Sequence, residues 1–141
     1  MKKCINEQYR ELYGIANSAR DGSYCPYSGF AVGAALLCKS GKIYTGMNIE
    51  NSSYTPTVCA ERVAFFRAIA DGEREFCAIA IAGGKRGEQP NKSVAPCGVC
   101  RQVMSEFVSG NFKIILSSDG ESEVYTMAEL MPSGFDKSQL I

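Results

Sequence analysis

The sequence predicts an α/β fold, with one mixed sheet of roughly five strands between two layers of helix. This is a three-layer α/β/α architecture, spread over a single domain of residues 1–141. Three observations carry it. A helical pattern comes first, over residues 5–19. Two extended segments joined by a tight turn follow, over 30–47. Buried helical stretches then alternate with short apolar runs.

Taken in order, Ile5, Leu12, Ile15, Ala16 and Ala19 share one rough helical face with charges between them, and Asp21-Gly22 ends that helix. Tyr24 to Gly29 reads as a loop, because the residue before Pro26 is pushed toward extended geometry. Phe30 to Cys38 is apolar and strand-like. Ser40-Gly41 turns the chain, and Lys42 to Met47 returns as the hairpin partner. Asn48 to Pro56 is a polar loop. Val58 to Ala70, rich in alanine, is a buried helix closed near Asp71-Gly72. Cys77 to Ala82 is continuously apolar, the pattern of a strand covered on both faces. Gly83 to Ala95 is a loop, and Cys97 to Val108 a second buried helix. Phe112 to Leu116 is an inner strand, Ser118-Asp119-Gly120 a turn and Glu123 to Thr126 an edge strand. Thr126 caps a short helix carrying Met127, Leu130 and Met131, and a tail follows Pro132.

Composition narrows the function. Lysine plus arginine and aspartate plus glutamate both number 15, so there is no basic surplus to hold a polynucleotide. Zero net charge also removes one barrier to self-association. Histidine is absent, so metal ligands must come from Cys, Asp or Glu and no proton carrier can be imidazole. Seven cysteines, an odd number, fit a reducing compartment better than a full set of disulfides. No apolar signal core follows Met1, and no run of about 18 apolar residues occurs. The expectation is a cytoplasmic protein without membrane attachment.

The chemistry concentrates in two short segments, Thr57-Val58-Cys59-Ala60-Glu61-Arg62 and Ala95-Pro96-Cys97-Gly98-Val99-Cys100-Arg101. Two sulfurs at C-x-x-C spacing and a third from elsewhere can hold one Zn²⁺ by three bonds, which leaves a tetrahedral position for water. Both segments open helices, where orphan N–H groups and the positive dipole end favour thiolates. Three thiolates leave Zn²⁺ with a net charge of −1, and Arg62 is the neighbour able to offset it. Glu61 is the candidate proton carrier. Positions i and i+2 do not face each other on a helix, so the metal must sit off the helix end.

Other readings remain open on these residues alone. Cys97-x-x-Cys100 also suits a redox pair, although that leaves Cys59 and Glu61 without a role. A structural zinc clip wants a fourth ligand, for which Cys25 is the candidate. Cys38 and Cys77 lie in apolar strands as core thiols would. Phe30 could be a core residue, and Asn48 and Glu50 a solvated turn.

Taken together the segments resemble the small, three-cysteine cytidine deaminases. The zinc deaminase signature is a Cys or His followed by x-E, then a later P-C-x-x-C. It appears here as Cys59-Ala60-Glu61 and Pro96-Cys97-Gly98-Val99-Cys100. The family's Tyr-Ser-x-Phe-x-Val-Gly-Ala-Ala-Leu element appears as Tyr27 to Leu36, and its Asn-x-Glu-Asn segment as Asn48-Ile49-Glu50-Asn51. The matches run in order from residue 24 to 102, over half the chain.

The resemblance implies that Cys59, Cys97 and Cys100 bind zinc, Glu61 moves protons and Arg62 neutralises thiolate charge. It implies Phe30 against the pyrimidine, Asn48 and Glu50 on the ribose hydroxyls, and the Ala60 N–H and a carbonyl near Ala95 orienting the base. Tyr54 and Ser52 would serve a neighbouring subunit's site in a homotetramer, and Phe135 would close the pocket. The implied reaction is hydrolytic deamination of free cytidine and 2′-deoxycytidine in pyrimidine salvage. A deaminase of a cytosine-nucleoside antibiotic such as blasticidin S shares the zinc core, and a zinc-stabilised binding protein is the reading outside enzymology. Two places depart from the family pattern: Pro56, and the loosely matching tail Met131 to Lys137.

Overall fold

A computed structural model of the chain describes residues 7–140. Helix α1 (Glu7–Ala19) leads into a short 3-10 turn, Arg20–Gly22. Strands β1 (Phe30–Cys38) and β2 (Ile43–Met47) form the hairpin, and α2 (Ala60–Ala70) follows. Then come β3 (Phe76–Lys85), α3 (Gly98–Phe107), β4 (Lys113–Ser118), β5 (Glu121–Thr126) and the single-turn α4 (Met127–Leu130). The strands form one five-stranded sheet in the order β2-β1-β3-β4-β5. Only β3 and β4 run parallel; the other neighbours are antiparallel. The mixed sheet is the one expected.

The sheet is covered on both faces, which explains its continuous apolar strands. Leu12 and Ala16 of α1 pack on Ala35, Leu37, Ala78, Ala80 and Ile115. On the other face, Ala34, Leu36, Ile79, Ile81 and Ile114 meet Ala64, Phe65 and Ala68 of α2 and Met104 of α3. Successive residues of β1 and β3 therefore alternate between two cores, and no polar face remains to give a period of two. Phe65 anchors the second core, its ring 5.0 Å from Phe76 and 6.0 Å from Phe112.

Two glycines let the helices approach. A Cβ at Gly33 would lie 2.0 Å from the Ala16 carbonyl oxygen, and one at Gly46 would lie 2.2 Å from that of Ala60. Neither gap admits a side chain, because the obstacle is helix backbone. Gly46 thus seats the first turn of α2, the turn that carries Glu61, directly on β2.

The boundaries depart from the sequence pattern where tertiary pairing decides them. Strand β3 runs on through Gly83 and Gly84, expected as loop, because all of β1 pairs with it from Phe30↔Lys85 onward. Val58 forms an isolated bridge with Ile49 and does not begin α2. Expected helical residues 5 and 6 lie outside the described residues. Among the described residues no helix is long and apolar enough to cross a membrane.

Candidate active site

Helix α2 begins at Ala60 because Cys59, its N-cap residue, is extended (φ −75°, ψ 156°). Cys97 caps α3 in the same way (φ −68°, ψ 168°), and its sulfur accepts the Cys100 N–H at 3.5 Å. Both helices thus open at a cysteine, with their orphan N–H groups beside the sulfurs. This places the metal-binding cysteines off the helix ends, as the i, i+2 spacing of Cys59 and Glu61 requires.

The sulfurs of Cys59, Cys97 and Cys100 lie within 4.8 Å of one another. Cys59 and Cys97 are 3.8 Å apart, too far for a disulfide. Zinc–sulfur bonds of about 2.3 Å at tetrahedral angles put neighbouring sulfurs roughly 3.8 Å apart. The soft donor set and its spacing therefore fit Zn²⁺. Cys25 and Cys38 are buried elsewhere and, with Cys77, lie outside this cluster; Cys4 lies outside the described residues.

Electrostatics at the cluster are coupled. Hydrogen bonding from Cys100 foremost, with Arg62 and Cys97 adding to it, pulls the Cys59 thiol well below its usual range. The same bond to Cys59, with burial, pushes the Cys100 thiol up. Arg62 Nη2 donates to Cys59 Sγ at 3.6 Å and to the Thr57 carbonyl at 3.4 Å. Its Nε is buried without a hydrogen-bond partner among the described residues. Glu61, in the first turn of α2, is 4% exposed. Burial, with the Cys59 charge adding to it, pushes its carboxyl up to about 7.

A second group of side chains gathers at the start of β1. Asn48 is buried; its Oδ1 accepts from Val32 N at 2.9 Å and from the Ser23 hydroxyl at 2.5 Å, and its Nδ2 donates to the Phe30 carbonyl at 2.9 Å. One amide N–H is left over by that arrangement. Phe30 is 41% exposed, and its ring borders Gly83 together with Val94. Glu50 lines a cleft of about 320 Å³ with Tyr27, Ser28, Tyr54 and Thr57. Tyr54, at φ 64°, sits edge-on to Tyr27 with ring centres 6.1 Å apart. The two groups are joined through backbone, since Ile49 and Val58 exchange hydrogen bonds of 2.9 and 3.0 Å. That bridge lays Asn48–Glu50 alongside the approach to Cys59.

Phe135 falls in neither group. It is exposed, and its carbonyl accepts from Gln102 Nε2 of α3 at 3.0 Å. Some residues around the site had no assigned role in the sequence reading. Arg101 donates to the Pro96 carbonyl at 2.7 Å and the Leu130 carbonyl at 2.6 Å, fastening the Cys97 turn to α4. Ser23 orients the Asn48 amide, and Ser28 contacts Glu50. Ser28 and Arg101 both stand inside recognisable motifs, which was the signal available for them.

The model of the cytidine and deoxycytidylate deaminase zinc-binding region matches residues 6–116. The chain is 47% identical over 131 residues to the cytidine deaminase of Sporosarcina psychrophila, covering 92% of this chain and 93% of that protein. The chain belongs to the cytidine deaminase family. It is 46% identical over 121 residues to the cytidine deaminase of Halalkalibacterium halodurans, covering 85% of this chain and 88% of that one. The crystal structure of cytidine deaminase from Burkholderia pseudomallei superposes with a TM-score of 0.82 at 40% identity, over 93% of this chain and all of that one. The three-layer fold is thus the family's, the chain is an enzyme of the cytidine deaminase class, and its cofactor is Zn²⁺.

Proposed function

We propose that the chain hydrolyses free cytidine and 2′-deoxycytidine to the uridines and ammonia, as a single catalytic domain acting in cytoplasmic pyrimidine salvage. The observation that carries the proposal is a sulfur triad at zinc spacing with a buried carboxyl, Glu61, beside it. Zinc held by Cys59, Cys97 and Cys100 supplies the electrophilic centre that makes water acidic enough to attack. Glu61 takes a proton from the attacking water. It passes that proton to N3, then takes the second proton from the hydroxyl added at C4 and gives it to the 4-amino group, so that the C4–N bond breaks, the C4 carbonyl forms and ammonia leaves. A carboxyl displaced toward neutrality can both accept and give a proton there. Arg62 offsets the thiolate charge and holds the Cys59 sulfur.

At the other end of the pocket Phe30 packs against the pyrimidine. The spare Asn48 N–H and the Glu50 carboxylate bind ribose hydroxyls. The Ala60 N–H, a first-turn donor without an intrahelical acceptor, and a carbonyl near Ala95 orient the base. A carboxylate where a phosphodiester would lie supports free nucleoside over nucleic acid. The test is to incubate the protein with cytidine and follow loss of its ultraviolet absorbance, with and without a chelator. Turnover that stops with chelator is expected; unchanged cytidine would overturn the reading.

The assembly is a homotetramer, in which Tyr54 and Ser52 are lent to a neighbouring subunit's site. Support comes from exposed apolar surface beside the cleft, a hollow of about 420 Å³ bounded by Ile49, Val63 and Phe66. Sedimentation equilibrium should give four times the chain mass, and a one-chain mass would remove this part of the proposal.

A further inference from the structure

The Tyr27-Ser28 dipeptide has no part in the chemistry above, yet both residues converge on Glu50. Tyr27 N and Ser28 N donate to Glu50 Oε1 at 2.9 and 3.1 Å. The Ser28 hydroxyl donates to Glu50 Oε2. That hydroxyl also accepts Phe30 N at 3.0 Å, so its one proton is directed at the carboxylate. Glu50 is pinned at its base too, where its N–H donates to the Tyr24 carbonyl at 2.8 Å. Gly29, at φ 67°, lets the chain curl so that these donors point the same way.

Resting on the substrate reading above, we infer that Ser28 is a positioning residue, aiming the Glu50 carboxylate at a ribose hydroxyl while fixing its distance from Phe30. Three of the carboxylate's roughly four lone-pair sites are taken from within the protein. What remains is one directed acceptor, so the group opposite Glu50 must be a donor. A hydroxyl meets that requirement; a phosphate ester or a hydrogen does not. The Ser28 hydroxyl foremost, with the two backbone N–H groups, holds the Glu50 carboxyl below the usual carboxylate range, so the acceptor stays ionised. The one hydroxyl spans the residue proposed for the base and the residue proposed for the sugar.

The test compares Ser28→Ala, Ser28→Thr and the unaltered enzyme, each zinc-loaded, on cytidine and on 2′,3′-dideoxycytidine. For Ser28→Ala, KM for cytidine should rise roughly tenfold with kcat within about twofold, as expected for lost ground-state binding through a charge-assisted hydrogen bond. Ser28→Thr, which keeps the hydroxyl, should restore KM. On the dideoxynucleoside, which lacks the 2′- and 3′-hydroxyls that Glu50 would hold, the alanine penalty should vanish. An equal penalty on both substrates would make Ser28 a support for the loop only and overturn the inference. So would an alanine variant with unchanged KM for cytidine. If the unaltered enzyme leaves cytidine intact, the substrate reading itself fails and takes this inference with it.

Discussion

Glu61→Gln should keep its zinc and lose about 10²- to 10⁴-fold in kcat on cytidine, the range expected when a positioned proton carrier is removed. Glutamine fills the same space at the start of α2 but cannot take up a proton. The side chain is almost wholly buried, so solvent cannot readily substitute for it. The metal should remain because the three sulfurs come from Cys59, Cys97 and Cys100 and no carboxylate belongs to the cluster. KM should change little, since the interaction lost belongs to the transition state. Elemental analysis beside steady-state kinetics reads both quantities. A glutamine variant keeping a tenth of the activity would remove Glu61 from the proton path, and one lacking zinc would make it part of the metal site.

Stripping the metal should abolish turnover and lower the melting temperature by about 10 °C. Zinc that binds the folded chain alone at a thousand times its dissociation constant adds about 4 kcal/mol. A domain of this size shifts by roughly 2–4 °C per kcal/mol. The effect is large because Cys97 and Cys59 both cap helices, so the ion ties α2 to α3 at their first turns. Added Zn²⁺ should restore both quantities, and Mg²⁺ neither, because hard cations bind thiolates poorly. Cys100→Ser should reproduce the stripped state even with zinc present. Calorimetry and absorbance assays of the same samples test this. Full activity after exhaustive chelation, with metal absent by analysis, would defeat the zinc mechanism.

The sequence made the five strands and the buried helices legible, through apolar runs bounded by turn residues. Continuous apolar runs in β1 and β3 announced a sheet covered twice, and both faces are filled. What it hid were features set by pairing. Gly83 and Gly84 look like a loop, yet β1 pairs with them, and Val94 and Arg20 crowd the positions where side chains would be. Val58 looked helical and is instead bridged to Ile49. The cysteines and Glu61 were legible because their spacing is itself the chemistry. The environment of Asn48 was not, since its partners Ser23, Val32 and Phe30 come from distant positions. Nor was Ser28's hold on Glu50, which spans 22 residues.

The paired backbone bonds between Ile49 and Val58 make the two ends of the cleft parts of one rigid gauge. Val58, one end of that bridge, directly precedes Cys59, and Ile49, the other end, directly precedes Glu50. On the proposed function, a substrate that reaches from the sulfur triad to Glu50 has to match the spacing this bridge sets. Selectivity by size is then a property of two hydrogen bonds that touch no ligand at all.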